Sequence, residues 1–258
     1  PDGKALQIGT SHNLGQNFAK SFKISFLGDD GKENLPWQNS WGVSTRLIGA
    51  LTMFHGDDRG LILPPKIAFS KIVIIPILFK DTQEKVLKKA KEVFKKLGKH
   101  NPILDDRDYS PGWKFSEWEL KGIPIRIELA PKDLKKNQVV LVRRDTNSKE
   151  SVKISSLNKK IESSLKDIQE NLFKKAEKEM NSKIVKVLSI SEFKQAIKAR
   201  KAVQVEWCGT RECEENIKDK SEGAKSVNMP FKQGKISSKK CFYCNKPATG
   251  IWYFAKSY

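Results

Sequence analysis

The spacing of apolar residues changes along this chain, and each change of period predicts an element. Over residues 16–23 and 23–27 apolar and polar positions alternate, and the turn Gly28-Asp29-Asp30-Gly31 follows, which predicts a strand pair. After the run Trp37-Gln38-Asn39-Ser40-Trp41-Gly42, the residues Val43, Leu47, Ile48, Leu51 and Phe54 recur at helical spacing as far as Gly56, predicting a helix buried on one broad face. Pro64-Pro65 breaks the pattern. Beyond it a β-branched run over 72–78 predicts a strand. Residues 82–97 predict an amphipathic helix with Val86, Leu87, Ala90, Val93, Phe94 and Leu97 inward, Asp81 or Thr82 as N-cap and Gly98 as C-cap. A helix over 111–120 and strands over 123–129 and 138–144 come next, with Ile123, Ile125, Ile127 and Leu129 on one strand face and Arg126 and Glu128 on the other. This alternation indicates a small α/β domain. From 153 to about 180, Ile154, Leu157, Ile161, Leu165, Ile168, Leu172 and Ala176 predict a long lysine-rich helix, either a spacer or a packed arm. A strand near 184–188, a helix over 191–201 and a strand over 203–207 precede the four cysteines.

Charge alters this picture more than composition does. The 258 residues hold 49 Lys plus Arg against 30 Asp plus Glu, for a net +19. No window approaches the ~20 consecutive apolar residues of a membrane span, and the opening has no apolar run of signal-peptide type, so a membrane protein and a secreted precursor are not expected. Residues 1–65 are neutral overall, residues 66–145 carry +8 and residues 146–258 carry +11. That segregation suits a neutral body with basic modules that meet a polyanion, since neutralised phosphates supply most non-specific nucleic-acid affinity. The competing reading is a solvated lysine surface, as Lys outnumbers Arg 41 to 8.

Cys208, Cys213, Cys241 and Cys244 form C-x4-C and C-x2-C pairs twenty-seven residues apart. Two such pairs can close a tetrahedral Zn²⁺ shell with no open position, which makes the expected site structural. Disulfides are the alternative, and a lysine-rich chain without a signal peptide disfavours them.

Two segments are more specific. Gln7-Ile8-Gly9-Thr10-Ser11-His12-Asn13-Leu14-Gly15-Gln16-Asn17-Phe18, followed by Trp37 through Gly42 and then Val43-Ser44-Thr45-Arg46-Leu47-Ile48-Gly49-Ala50, resembles the C-terminal half of the catalytic domain of the prolyl-tRNA synthetase family. The second segment resembles motif 3 of class II synthetases. The likeness continues through His55-Gly56-Asp57-Asp58, Pro111-Gly112-Trp113-Lys114-Phe115 and Val142-Arg143-Arg144-Asp145 to the cysteines and Tyr258, and its type is archaeal/eukaryotic, which some bacteria share. It implies a class II antiparallel-sheet piece over 1–65, a small α/β anticodon-binding domain over 66–150, and a helical linker with an α+β zinc-binding C-terminal domain over 151–258. The fold class expected is therefore α/β and α+β.

The resemblance also implies roles. Arg46 would contact ATP as the catalytic motif 3 arginine, a permanently charged planar fork suited to phosphate. Gln7, Thr10, Ser44 and Thr45 would hold the nucleotide, while His12, Ser40 and Gly42 would line the proline pocket, the glycine leaving room for the pyrrolidine ring. Lys114, Phe115, Glu117, Arg143 and Arg144 would read the anticodon guanines, for which carboxylates, cations and stacking rings are suitable partners. Tyr258 would point back toward the active site, as a terminal tyrosine does in relatives. The reaction implied is ATP- and Mg²⁺-dependent formation of prolyl-adenylate from L-proline, then transfer to tRNA(Pro). It depends on positioning and charge stabilisation. A cytoplasmic enzyme, homodimeric when intact, is expected.

The 258 residues depart from the family in lacking motifs 1 and 2, so they read as one part of a longer chain. A non-catalytic tRNA-binding fragment or paralogue is the alternative. A zinc-containing nucleic-acid protein unrelated to synthetases would leave residues 37–50 unexplained. These residues alone are expected not to activate proline; ATP–pyrophosphate exchange by the isolated chain is the measurement that would overturn this.

Overall fold

In the computed structural model, which describes residues 2–258, the chain has a mixed α/β architecture with several sheets. It divides into two compact units, Leu51–Asn181 and the combination of Pro1–Ala50 with Ser182–Tyr258.

The N-terminal segment is organised by an antiparallel ribbon of β1 (Gly9–Gly15) and β4 (Gln38–Val43), in which Thr10 lies opposite Gly42 and His12 opposite Ser40. Between them come α1 (Asn17–Ser21) and a short hairpin of β2 (Phe26–Leu27) and β3 (Glu33–Asn34) around the expected turn, where Gly31 N donates to Gly28 O at 2.9 Å. The strand expected over 16–23 is thus a helix instead. Phe18 and Phe22, four residues apart, stack at 5.9 Å, and that spacing favours a helical turn over an extended chain. The helix α2 (Arg46–His55) is where its periodicity predicts, but the buried broad face is not: Ala50 alone of its residues is buried, and Ile48 is 67% exposed. The ribbon is two strands wide and largely exposed, so it offers no face broad enough to build a core.

The middle unit is built on a five-stranded sheet, order β6-β5-β7-β8-β9, from β5 (Ile72–Pro76), β6 (Ile103–Leu104), β7 (Ile125–Leu129), β8 (Gln138–Arg143) and β9 (Lys149–Lys153). The strands β5, β6 and β7 are parallel, and the rest antiparallel. Parallel neighbours need crossovers, supplied by α3 (Gln83–Lys96) and α4 (Pro111–Leu120). One sheet face, carrying Ile72, Ile74, Ile125 and Ile127, packs on Val86, Ala90 and Val93 of α3 and on Leu157, Ile161, Leu165, Ile168 and Leu172 of the long helix α6 (Leu157–Ser182); the short α5 (Pro131–Lys135) links β7 to β8. The lysine-rich helix is therefore a packed arm. The other face, with Val73 and Ile75, meets Phe115 and Trp118 of α4. Thr82 caps α3 without a side-chain hydrogen bond, and Phe94 stays 36% exposed, so the inward stripe is narrower than expected. The helix expected over 111–120 is α4, where Pro111 sits in the first turn and Ser110 Oγ accepts from Trp113 N at 3.3 Å.

The C-terminal segment forms a four-stranded sheet, order β10-β11-β13-β12, from β10 (Ile184–Lys186), β11 (Ala202–Trp207), β12 (Lys225–Asn228) and β13 (Gly250–Ala255), with α7 (Ile190–Lys198) and α8 (Arg211–Lys220). Its core joins Phe193 and Ile197 to Val203, Val205, Trp207 and Phe254. Ser189 caps α7, accepting from Glu192 N at 3.3 Å. The N-terminal segment meets this one through Ala5, which bridges to Ser257, its N donating to Lys256 O at 2.7 Å.

Candidate functional site

Strand register brings the N-terminal candidates together. In an antiparallel pair, directly opposed residues share a face and alternate residues return to it, so Thr10, His12, Ser40 and Gly42 all lie on one face of the β1–β4 ribbon. A Cβ on Gly42 would stand 3.2 Å from Thr10 Oγ1, which keeps that face shallow at the glycine. A cavity of about 220 Å³ opens beside it, lined by Gln7, Gly9, Thr10, Gly42, Val43, Ser44 and Arg46. Arg46 Nη1 donates to Gln7 O at 3.2 Å and to Gln7 Oε1 at 3.3 Å, so the first turn of α2 is pinned to the strand side of the cavity. Ser44 Oγ accepts from Arg46 N at 3.3 Å. His12 and Ser40 sit on the same ribbon face without lining this cavity, and Thr45 immediately precedes α2. Tyr258 packs on the residues just upstream: its hydroxyl donates to Asp2 Oδ2 at 2.7 Å, and Lys4 Nζ stands 4.9 Å from its ring centre.

The middle unit gathers charge around α4. Asp105, 2% exposed, accepts from Arg107 Nε and Nη2 at 2.9 and 2.8 Å and from Trp118 Nε1 at 2.7 Å. Burial works against its charge, but the Arg107 and Trp118 hydrogen bonds prevail and hold the carboxyl down to about 2. Lys114, also 2% exposed, donates to Asp105 O at 3.2 Å and lies 4.0 Å from Oδ1. Arg144, 4% exposed, clamps Asp57 with both Nη atoms at 2.8 and 2.6 Å and donates from Nε to Glu119 O at 3.0 Å. Both side chains are enclosed, with their donors turned to protein acceptors. Of the five residues expected to read the anticodon, Lys114 and Arg144 are the two most enclosed. Glu117 bonds Arg107 and, at 2.7 Å, Lys121, while Arg143 is bidentate on Asp145 at 3.0 and 2.8 Å. Phe115 lies under the Arg126 guanidinium, 4.2 Å from its carbon, and Arg126 in turn bonds Glu128 at 3.0 Å and Glu119 at 2.7 Å. Arg126 and Glu128 thus form a buried pair along one strand, on the face that α4 covers.

The cysteines converge as their spacing predicts. Their four sulfurs lie within 4.8 Å of one another, Cys213 and Cys241 at 3.8 Å and Cys208 and Cys244 at 3.6 Å. A tetrahedral ion with ~2.3 Å metal–sulfur bonds sets sulfur–sulfur edges of about 3.8 Å, so the donor set fits a metal ion. Trp207 Nε1 donates to Cys213 Sγ at 3.3 Å, an outer contact of the kind that orients a ligating sulfur. Burial opposes a Cys208 thiolate, yet the Thr210 hydroxyl and amide outweigh it and bring that thiol down to about 7; burial pushes the Cys213 thiol up. A cation at the centre would allow all four to be thiolates together. The chain leading into Cys241 is fixed by Glu206, whose carboxylate accepts from Ser237 N and Oγ at 2.6 and 2.7 Å and from Ser238 N at 2.8 Å.

Glu206 and Asp105 carry none of the sequence signals used above, and Asp57 appears there only within the family resemblance. Their partners, Ser237 and Ser238, Trp118 and Lys114, and Arg144, are set by the fold.

Comparison with known proteins gives these sites a context. A family model described as "Prolyl-tRNA synthetase, C-terminal" matches residues 190–258, and one described as "Anticodon binding domain" matches residues 71–164. Proteins named proline–tRNA ligase from Ruminiclostridium cellulolyticum, Lachnoclostridium phytofermentans and Alkaliphilus oremlandii are 47%, 46% and 45% identical to this chain. Each alignment covers 100% of this chain and 53% of the relative, so the chain spans about half the length of the curated relatives it matches.

The Asp105 network predicts a pH dependence with a definite sign. Its folded pKa, about 2, lies below the ordinary 3.8, so its contribution to stability is complete above pH ~4 and is lost as pH falls through 2. Asp105→Asn is expected to lower the urea stability of the middle unit by about 3 kcal/mol at pH 7, because Lys114 is left enclosed without its counter-charge. The gap between variant and parent should close between pH 4 and pH 2, and a gap constant over that range would refute the assignment.

Proposed function

The chain belongs to the prolyl-tRNA synthetase family, and on that premise we propose that it is part of a proline–tRNA ligase, which activates L-proline with ATP and transfers it to tRNA(Pro). In this reading residues 1–65 contribute to the class II catalytic core, residues 66–150 bind the anticodon, and residues 151–258 supply a helical linker and a zinc-binding C-terminal domain. The observation that carries it is the cavity where Arg46, Gln7, Thr10 and Ser44 meet: a fixed guanidinium beside neutral amide and hydroxyl groups suits the phosphates of a nucleoside triphosphate, whose own oxygens would carry the Mg²⁺. Thr45 is assigned to the same nucleotide. His12, Ser40 and Gly42, on the same ribbon face, are assigned to the proline pocket.

The anticodon role is assigned to Phe115, Glu117 and Arg143 as contacts, with Lys114 and Arg144 holding them in place. A carboxylate can accept from the guanine N1 and N2 donors, a cation can meet O6 and N7, and a ring can stack. The four cysteines are assigned to a structural Zn²⁺, since thiolate ligands in a closed tetrahedral set favour that ion. Among the described residues no helix is long and apolar enough to cross a membrane. A cytoplasmic enzyme, homodimeric when intact, completes the proposal.

Two measurements test this reading. The chain is expected to bind a tRNA(Pro) transcript at least ~10-fold more tightly than one whose anticodon guanines are replaced, each mismatched contact being worth roughly a factor of ten; equal binding would sink the anticodon assignment. The purified chain is expected to hold one equivalent of zinc by elemental analysis, and Cys213→Ser or chelation should remove it and lower the melting temperature of the C-terminal sheet. Zinc content unchanged in Cys213→Ser would reject the cluster as the site.

A further inference from the structure

We propose that Arg107, Tyr109 and Trp113 form a stacking site for an unpaired nucleobase of the bound RNA, separate from the residues assigned above; the proposal rests on the anticodon-binding reading of the middle unit. The rings of Tyr109 and Trp113 are stacked with centroids 4.2 Å apart and planes 23° from parallel, and they remain 54% and 46% exposed. The Arg107 guanidinium carbon lies 5.6 Å from the tyrosine centroid and 5.4 Å from the tryptophan centroid. Its edge is locked, since Nε and Nη2 donate to the enclosed Asp105 carboxylate at 2.9 and 2.8 Å and Nη2 also bonds Glu117. Two aromatic planes and a fixed planar cation together suit the π-face of a base, whichever base it is.

The surroundings favour that occupant. Gly112, next to Trp113, faces open space, because a Cβ there would meet nothing within 4 Å. The segment between β6 and α4 leaves the C-terminal end of a parallel strand, and β6 and β7 flank β5 on opposite sides. Ligands of open α/β sheets bind beyond such strand ends, where the strand order reverses. Residues 66–145 carry +8, which draws a phosphate backbone toward this unit, while residues 105–119 hold five acids against two cations, so the site itself suits the face of a base and not a phosphate. A pair serving only to brace the first turn of α4 would have no need of a guanidinium beside it or of half its ring surface in solvent.

The test uses a tRNA(Pro) anticodon stem–loop with 2-aminopurine at one unpaired loop position at a time, titrated with the full 258-residue chain. Binding is expected to quench the probe at one position. Trp113→Ala and, independently, Tyr109→Ala should abolish that quenching and weaken binding roughly tenfold, with the salt dependence of binding unchanged because no charge is removed. Trp113→Phe should retain both affinity and quenching. Alanine variants that bind and quench like the parent would overturn the proposal, as would equal losses in Trp113→Ala and Trp113→Phe accompanied by a lowered melting temperature, which would assign the stack to bracing the helix. Binding by the parent without quenching at any position rejects the stacking site alone, whereas no binding by the parent rejects the anticodon reading beneath it.

Discussion

A strand enclosed on both faces dictates the middle unit. Every residue of β5 is buried, so the apolar run Ile72–Pro76 has to be covered twice. The side of Ile72 and Ile74 is met by α3 and α6, and the side of Val73 and Ile75 by α4. Seating α4 there places Phe115 beneath Arg126 and swings the Trp118 indole onto Asp105. The polar network is thus a consequence of where an apolar strand needs cover. Its charges are tolerated because each enclosed ion has a counter-ion: Asp105 with Arg107 and Lys114, Arg126 with Glu128 and Glu119.

The ribbon segment follows a different rule. Its strands are mostly exposed, with Trp41 at 80% and Val43 at 76%, so burial does not align its site residues. Register does. Backbone pairing sets Thr10 against Gly42 and His12 against Ser40, and a slip of one residue would turn these side chains to the opposite face. The arginine fork adds a second constraint, since its bonds to Gln7 tie the residues before β1 to the first turn of α2. Likewise Gly60, at φ +125°, lets the chain after α2 run against the end of α4, where a Cβ would come within 2.5 Å of Leu120 Cα.

What the sequence revealed depended on whether the signal was local. The helices over residues 83–96, 111–120 and 157–182 were legible because apolar residues spaced by three or four are written in neighbouring residues. The cysteine cluster was legible for the same reason, as two tight pairs specify one centre. Alternation misled over residues 16–23, where Phe18 and Phe22 fit a helical turn as well as a strand. The strands β12 and β13 went unmarked because their residues are set by partners 25 or more positions away, and β9 because its polar sequence Lys149–Lys153 shows little apolar alternation although it forms a hairpin with β8. The enclosure of Lys114 by Asp105, nine residues away, and of Arg144 by Asp57, 87 residues away, was not legible, because residue type alone does not say which acid the fold sets beside a cation.

The first unit is discontinuous, and that affects how it can assemble. The hydroxyl of Tyr258 meets the carboxylate of Asp2 across 256 positions of sequence, and Ala5 bridges to Ser257 beside it. Contacts so distant carry a large entropic cost of bringing chain ends together before any of them forms. The middle unit, continuous from Leu51 to Asn181, faces no such delay. During synthesis its sheet can be complete while the residues that precede the ribbon still wait for the bridge from Ala5 to Ser257, so the first unit closes last.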